Sequence, residues 1–205
     1  MMSKGGFLVV GYYTKNSIYE DAAEILIKSM LKYKIPYYVE GIEDKGDWWK
    51  NTQFKPTFLI RMLKAFPDKN IVYVDCDAEF LKYPELFDTF EGDIGAYLFD
   101  RSCYTKSAGG YEVLSGTLFF RNNDFVKKIL DEWEHECLKH LHVWDQKSLE
   151  RVLKGRFKKL PGEYCKIFDR MDSVTDPVII HYQASRKINK KGAMNRQNRK
   201  VRRTN

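Results

Sequence analysis

Two carboxylates separated by one residue, Asp75 and Asp77, follow the apolar run Ile71-Val72-Tyr73-Val74. Ligands of an open α/β sheet bind beyond the carboxyl ends of its strands, so an acidic pair at that position is placed to meet one. Hard Mg²⁺ or Mn²⁺ takes one or two protein carboxylates and fills its other positions with water and phosphate oxygens. The pair, with Cys76 between its members, points to a metal-bridged phosphate; a solvated turn is the plain alternative for so short a pattern. Lys55 stands beside Pro56 at an expected helix start, where an ammonium and free backbone donors both suit an anion. Arg61, farther along the same helix, is a second basic candidate. The small residues Ser115-Gly116-Thr117 let a ligand approach a strand closely, although a strand glycine can equally mark a bulge. Asp145-Gln146 open another expected helix, where a carboxylate can also be a cap.

These residues need elements to hold them. Phe7 to Tyr13 is short, apolar and rich in β-formers, and reads as a buried first strand followed by the cap and turn types Thr14, Asn16 and Ser17. Apolar positions from Ala22 to Leu31 recur at helical spacing and predict a helix over about 17–33. A second strand is expected over Ile35 to Ile42. A second helix is expected over Thr52 to Phe66, with Pro56 tolerable in its first turn, and a third strand over Asn70 to Val74. Ile94 to Phe99 and Leu114 to Arg121 follow as strands. The polar loop Asp100 to Gly110 between them is of a kind that often covers sites. Asn123 or Asp124 can cap a helix reaching about Lys139; Asp145 to Leu153 is a further helix, and Val178 to Tyr182 a last strand. Strands alternating with helices predict an α/β layer structure around a mainly parallel sheet.

Bulk properties narrow the class. A chain of 205 residues that is 43% hydrophobic can bury the core of one domain. No apolar run approaches the roughly 18 residues of a membrane span. The four cysteines, Cys76, Cys103, Cys137 and Cys165, form no Cys-x-x-Cys pair, and reduced thiols in a cytoplasm are the plain expectation. The net charge of +7 is concentrated at one end: Arg186 to Asn205 holds nine Lys or Arg and no Asp or Glu, so residues 1–185 carry −2. One domain over 1–185 with a basic tail over 186–205 is therefore expected. Such a tail suits a polyanion, whether nucleic acid, an anionic lipid surface or an acidic glycan.

The ordered set of motifs resembles the GT-A nucleotide-diphospho-sugar transferases, in pattern most like the retaining group that includes glycogenin and the bacterial lipopolysaccharide galactosyltransferases. The matching segments are the first strand with Thr14, Phe54-Lys55-Pro56-Thr57-Phe58-Leu59, Val74-Asp75-Cys76-Asp77, Leu114 to Asn122 and Trp144-Asp145-Gln146. The resemblance implies a single GT-A, Rossmann-like domain that transfers a hexose from a UDP-sugar to a hydroxyl of a glycan, a lipopolysaccharide or a modified nucleic-acid base. It implies that Gly11, Tyr12, Tyr13 and Thr14 line the nucleoside pocket, where a tyrosine ring could stack on the base or merely finish a buried strand. It further implies that Lys55 faces the donor and that Asp75 and Cys76 contact the nucleotide. Ser115 and Gly116 would meet the donor sugar, and Asp145 and Gln146 would lie beside the anomeric carbon. His181, otherwise an ordinary strand-end residue, would complete the metal shell of Asp75 and Asp77. The family usually continues into Gly-x-x-Lys-Pro-Trp, whereas this chain has Gln183-Ala184-Ser185-Arg186-Lys187, so Lys187 is only a distant candidate for a phosphate contact.

Two other readings use the same residues. A phosphatase of the haloacid dehalogenase type also has Asp-x-Asp after an apolar strand, but on its first strand and with Thr or Val two residues later; here Ala78 and Glu79 follow. A nucleic-acid-binding protein acting through the basic tail is the other, although the body offers no base-reading motif. His135, His140 and His142, on or after an acidic helix, are expected on a solvated surface.

Overall fold

Strand β1, Phe7–Thr14, alternates its side chains across the sheet, sending Leu8, Val10 and Tyr12 into one core and Phe7 and Val9 into the other. The computed structural model describes residues 6–103 and 109–184. Lys187, the basic tail and much of the loop after residue 103 lie outside them. Helix α1, Ile18–Lys32, starts where the Ser17 hydroxyl accepts from the Tyr19 amide, and buries Ala23, Leu26, Ser29 and Met30. Strand β2, Tyr37–Ile42, begins after Pro36, which has no amide to donate but whose carbonyl accepts from Val9 N.

The single helix expected over 52–66 is two. Helix α2, Trp48–Gln53, is capped by Asp47, and α3 spans Lys55–Ala65 with Phe54 between them. Pro56 cannot donate to the Thr52 carbonyl, so the ladder breaks there, and Tyr12 Oη donates to the carbonyls of Asn51, at 2.8 Å, and Thr52, at 3.3 Å.

Strand β3, Asn70–Val74, is followed by the short β4, Ala78–Phe80, helix α4, Leu86–Thr89, and strands β5, Ile94–Asp100, and β6, Tyr111–Phe120. Helix α5, Asp124–Lys139, takes Asn123 as its cap, through a bond from Val126 N at 2.9 Å. Helix α6 spans Asp145–Leu153, and the short strands β7, Lys158–Lys159, β8, Lys166–Ile167, and β9, Ile179–His181, complete the described chain. The main sheet has the order β2-β1-β3-β6-β5-β7, and of its six strands β6 runs against the other five. A small second sheet has the order β4-β9-β8. Helices α3, α5 and α6 cover one face of the main sheet around Trp133; α1, β4 and α4 cover the other. The mainly parallel sheet flanked by helices is the α/β class the sequence predicts.

Candidate functional site

Asp75 is the first residue beyond β3, and its amide donates to the Gly116 carbonyl of the antiparallel β6 at 2.8 Å. Because β6 runs antiparallel, Thr117 pairs with Val74, and Gly116 falls beside the carboxylate. Strand β4 then pairs Ala78 with His181 of β9, which returns a histidine from the far end of the chain to the acidic pair. The chain after β9 clasps Asp77: Tyr182 N donates to its carbonyl at 2.9 Å and Ala184 N to Oδ2 at 2.8 Å. One ligand atom from each of Asp75, Asp77 and His181 lies within 4.8 Å of the others.

The chemistry of this cluster fits a divalent ion. A β-carbon on Gly116 would lie 3.2 Å from both Asp75 Oδ2 and His181 Nδ1, so the absence of a side chain there leaves the space between carboxylate and imidazole open. His181 Nε2 shares a 2.8 Å hydrogen bond with the buried hydroxyl of Thr117, which leaves Nδ1 to face the carboxylates. Burial holds the imidazole pKa down to about 4, with Asp75 opposing and Lys55 assisting, so the ring is neutral and able to act as a ligand.

Next to the cluster stands a buried cation. Lys55, 3% exposed, points its Nζ at Asp145 Oδ2 at 2.8 Å and Asp75 Oδ1 at 3.2 Å, and donates to Ser115 O and Oγ, each at 3.2 Å. Ser115 Oγ donates in turn to Asp145 Oδ2 at 3.0 Å, and Tyr73 Oη donates to Asp75 Oδ1 at 2.9 Å. Burial works against the Lys55 charge, but the carboxylates of Asp145 and Asp75 outweigh it and raise the ammonium pKa. Burial raises that of Asp75 despite Lys55, an effect moderated by the 38% of its side chain that stays open. One ammonium against three carboxylates leaves the cluster two negative charges in excess with His181 neutral, a balance that a divalent cation offsets.

These groups line one cavity of about 440 Å³. It takes in Tyr12, Tyr13, Thr14, Cys76, Ser115, Gly116, Asp145 and Gln146 of the expected set, together with Lys55, Asp75, Asp77 and His181. Tyr12 is buried in the core with its hydroxyl on α2, and Tyr13 is the more exposed of the two. Two expected residues are not brought there. Arg61 is half exposed and ion-paired with Glu40 of β2, and a β-carbon on Gly11 would lie 2.8 Å from Val74 O, which makes that glycine a spacer between β1 and β3. His135, His140 and His142 are exposed, as expected. Sequence reasoning passed over Tyr19, Trp48, Glu112 and Lys147, which also line the cavity. Only the exposed Trp48 carried any signal, as a large apolar residue with no helical partner in α2. The Asp-x-Asp pair follows the third strand and not the first, which leaves the phosphatase reading without support.

The sequence profile of the nucleotide-diphospho-sugar transferase family matches residues 29–197. No curated protein matches the chain. Among solved structures, a glycosyltransferase involved in the glycosylation of the major capsid of PBCV-1 is similar, with TM-score 0.67 and 15% identity over 87% of this chain and 93% of that one. The galactosyltransferase LgtC, solved with donor and acceptor sugar analogues, superposes with TM-score 0.58 at 14% identity, covering 86% of this chain and 87% of that one. Apo GlyE of Streptococcus pneumoniae TIGR4 gives 0.60 at 17% identity, covering 86% of this chain and 54% of that one. The fold is that of the GT-A glycosyltransferases.

Proposed function

Since this chain belongs to the nucleotide-diphospho-sugar transferase family, we propose that it moves a hexose from a UDP-sugar to a hydroxyl acceptor, with Mn²⁺ or Mg²⁺ held by Asp75, Asp77 and His181. The observation that carries the reading is the open space at Gly116 between Asp75 Oδ2 and His181 Nδ1, inside the cavity that also holds Lys55 and Asp145. Held by Asp75, Asp77 and His181, such an ion would offset the diphosphate charge and make it a better leaving group. Tyr13, Thr14 and Cys76 bind the nucleoside end. Ser115 and Gly116 present a narrow strand edge to the sugar, and Gln146, whose Oε1 accepts from Ser115 N at 3.4 Å, is fixed beside it. Lys55 holds Asp75 and Asp145 in register and adds positive potential near the phosphates. Transfer with retention follows the group that the motifs resemble, and a hexose is in keeping with the galactosyltransferase among the similar structures.

A thermal-shift panel of sugar nucleotides with and without Mn²⁺ tests the reading, because a ligand at about 100 times its Kd adds about 2.7 kcal/mol to the native state. A UDP-sugar is expected to raise Tm with Mn²⁺ and not with chelator; no shift from any donor with either ion sinks the proposal. Thr117→Val should weaken Mn²⁺ binding about tenfold or more, read by the electron paramagnetic resonance of free Mn²⁺, because it removes the partner that orients His181. Thr117→Ser should restore binding.

Residues 1–185 form the catalytic unit in this reading, and the basic tail over 186–205 brings it to a polyanion. Ala184, the last described residue, is held at the clasp on Asp77. Deleting 186–205 should flatten the salt dependence of binding to duplex DNA or to phosphatidylserine vesicles, since each neutralised phosphate contributes about −0.9 to the slope on DNA. An unchanged slope on both removes that role. No helix among the described residues is long and apolar enough to cross a membrane. A cytoplasmic setting is supported by the free, buried thiols of Cys76, Cys137 and Cys165.

A further inference from the structure

We propose that the indoles of Trp48 and Trp144, at the mouth of the cavity, form the acceptor subsite and take a pyranose ring of a glycan. The inference rests on the glycosyl-transfer reading above and names its acceptor class. Of the four tryptophans in the chain, Trp133 is buried in the core, and the other three converge from two segments more than ninety residues apart. Trp48 and Trp49 open α2; Trp144 immediately precedes α6. Their ring centroids lie 5.1 Å apart for Trp48 and Trp49, 6.0 Å for Trp48 and Trp144, and 6.2 Å for Trp49 and Trp144, all edge to face. Even so, Trp48 stays 37% and Trp144 48% exposed.

This aromatic surface is built without a core beneath α2, none of whose residues is buried. Instead Gln53 Nε2 donates to Val143 O at 2.6 Å and His140 O at 2.9 Å, tying α2 to the turn that carries Trp144. The platform is therefore set before any ligand arrives, which lowers the ordering cost of binding. Exposed indole area of this size is unfavourable in water, and a ring that covers it is held by that apolar contact.

Position identifies the occupant. Trp144 is adjacent in sequence to Asp145, whose carboxylate is held by Lys55 and Ser115 beside the metal cluster. In the main sheet β1 and β6 flank β3 on opposite sides, so the nucleoside end at Tyr13 and Thr14 and the Ser115–Asp145 side lie to either side of Asp75. Trp144 is thus on the Asp145 side, next to the sugar to be transferred, while Trp48, on the helix that receives the Tyr12 hydroxyl, extends the platform toward β1. Glu112 and Lys147 line the same cavity, with the Lys147 ammonium 2.7 Å from Glu150 and 4.0 Å from Glu112, so the wall beside the platform is polar and charged. The shape of the platform disfavours a base sandwiched between two rings. The three indoles are inclined to one another by 62° to 74°, so no two can clamp a flat base on both faces. A puckered pyranose lays its C–H face on one indole and its edge on the next, and leaves its hydroxyls to the polar side. The close centroid spacing also leaves no gap between the rings for a cation.

Saturation-transfer NMR tests the inference, using methyl glycosides of glucose, galactose, mannose, xylose and rhamnose with the full chain, with and without UDP and Mn²⁺. At least one glycoside is expected to receive saturation at its ring C–H protons, and its apparent Kd should rise about tenfold, equivalent to about 1.4 kcal/mol, in Trp144→Ala or Trp48→Ala. Trp144→Phe, which keeps an aromatic face, should recover part of it. Unchanged transfer in both alanine variants overturns the inference, as does the lack of a signal from every glycoside. So does a tryptophan-dependent signal from a short thymidine oligonucleotide in their place. The UDP-sugar-dependent rise in Tm, recorded on the same wild-type samples, reports on the donor reading alone; its absence sinks that reading, whereas the acceptor inference stands or falls on the glycoside signal.

Discussion

Asp77→Ala is expected to lower kcat/KM for transfer by about a thousandfold or more, the size of effect that follows when several kcal/mol of charge stabilisation is lost. Two consequences of the substitution have to be separated. Asp77 contributes a ligand atom to the cluster, and its Oδ2 also accepts from Ala184 N at 2.8 Å, which fastens the segment after β9. Asp77→Asn keeps an acceptor for Ala184 and loses the charge. If the charge on the metal site is what matters, the asparagine variant melts like wild type yet is as inactive as alanine, and both lose the Mn²⁺ dependence of the donor-induced shift in Tm. Full turnover in Asp77→Ala with metal chelated would remove the metal from the proposal. Recovery of turnover in Asp77→Asn would instead assign the defect to the clasp.

Much of the scaffold was legible because its elements carry strong local signals. Strand β3 and helix α6 have the bounds that the sequence predicts, since each joins a clear apolar pattern to clear ends. Helix α5 resolves the choice between Asn123 and Asp124 in favour of Asn123, whose side chain is the one that reaches the Val126 amide. The two- and three-residue strands β4, β7, β8 and β9 were legible only in part, because so few residues show no periodicity and their pairing is long-range. The break at Phe54 leaves no clear local signal, because Pro56 is also a permitted first-turn residue; what breaks the ladder is its missing donor to Thr52.

The site was legible as types of residue and not as a network. Lys55, Ser115 and Asp145 stood in the sequence as three separate features; the structure joins them through one buried ammonium, across separations of 60 and 30 residues. Arg61 shows the opposite error. Six residues along an α-helix turn the side chain roughly 120° away, so Arg61 cannot share the face that Lys55 presents to the cavity. It meets Glu40 on β2 instead. Thr117 belonged to a recognised motif, but its value lies in the Nε2 contact with His181, a residue 64 positions away that β4 brings into place. Pairing of that kind leaves no mark in local sequence.

Lys55→Met carries the largest expected effect on stability. The substitution keeps much of the side-chain volume but leaves Asp145 and Asp75 without the cation that lies 2.8 and 3.2 Å from them. Removing one partner of a buried ion pair costs about 3–5 kcal/mol, because the remaining charge stays desolvated. For a domain of this size that corresponds to a fall in Tm of about 10 °C. The pH dependence gives the sign. Burial already raises the Asp75 carboxyl pKa against the pull of Lys55; without the ammonium it rises further above that of the unfolded chain, so over that pH range the folded variant binds more protons than the unfolded one. Its deficit relative to wild type should therefore be full at neutral pH and shrink as the pH falls toward 4. The double variant Lys55→Met with Asp145→Asn removes the charge most deeply buried beside the lysine, and it should be more stable at neutral pH than the sum of the two single changes, with a coupling of about 1–3 kcal/mol. A variant that melts within a degree or two of wild type, or a deficit that does not change with pH, would show that Lys55 is not closing this network. Additive single changes would show instead that its partner is not Asp145.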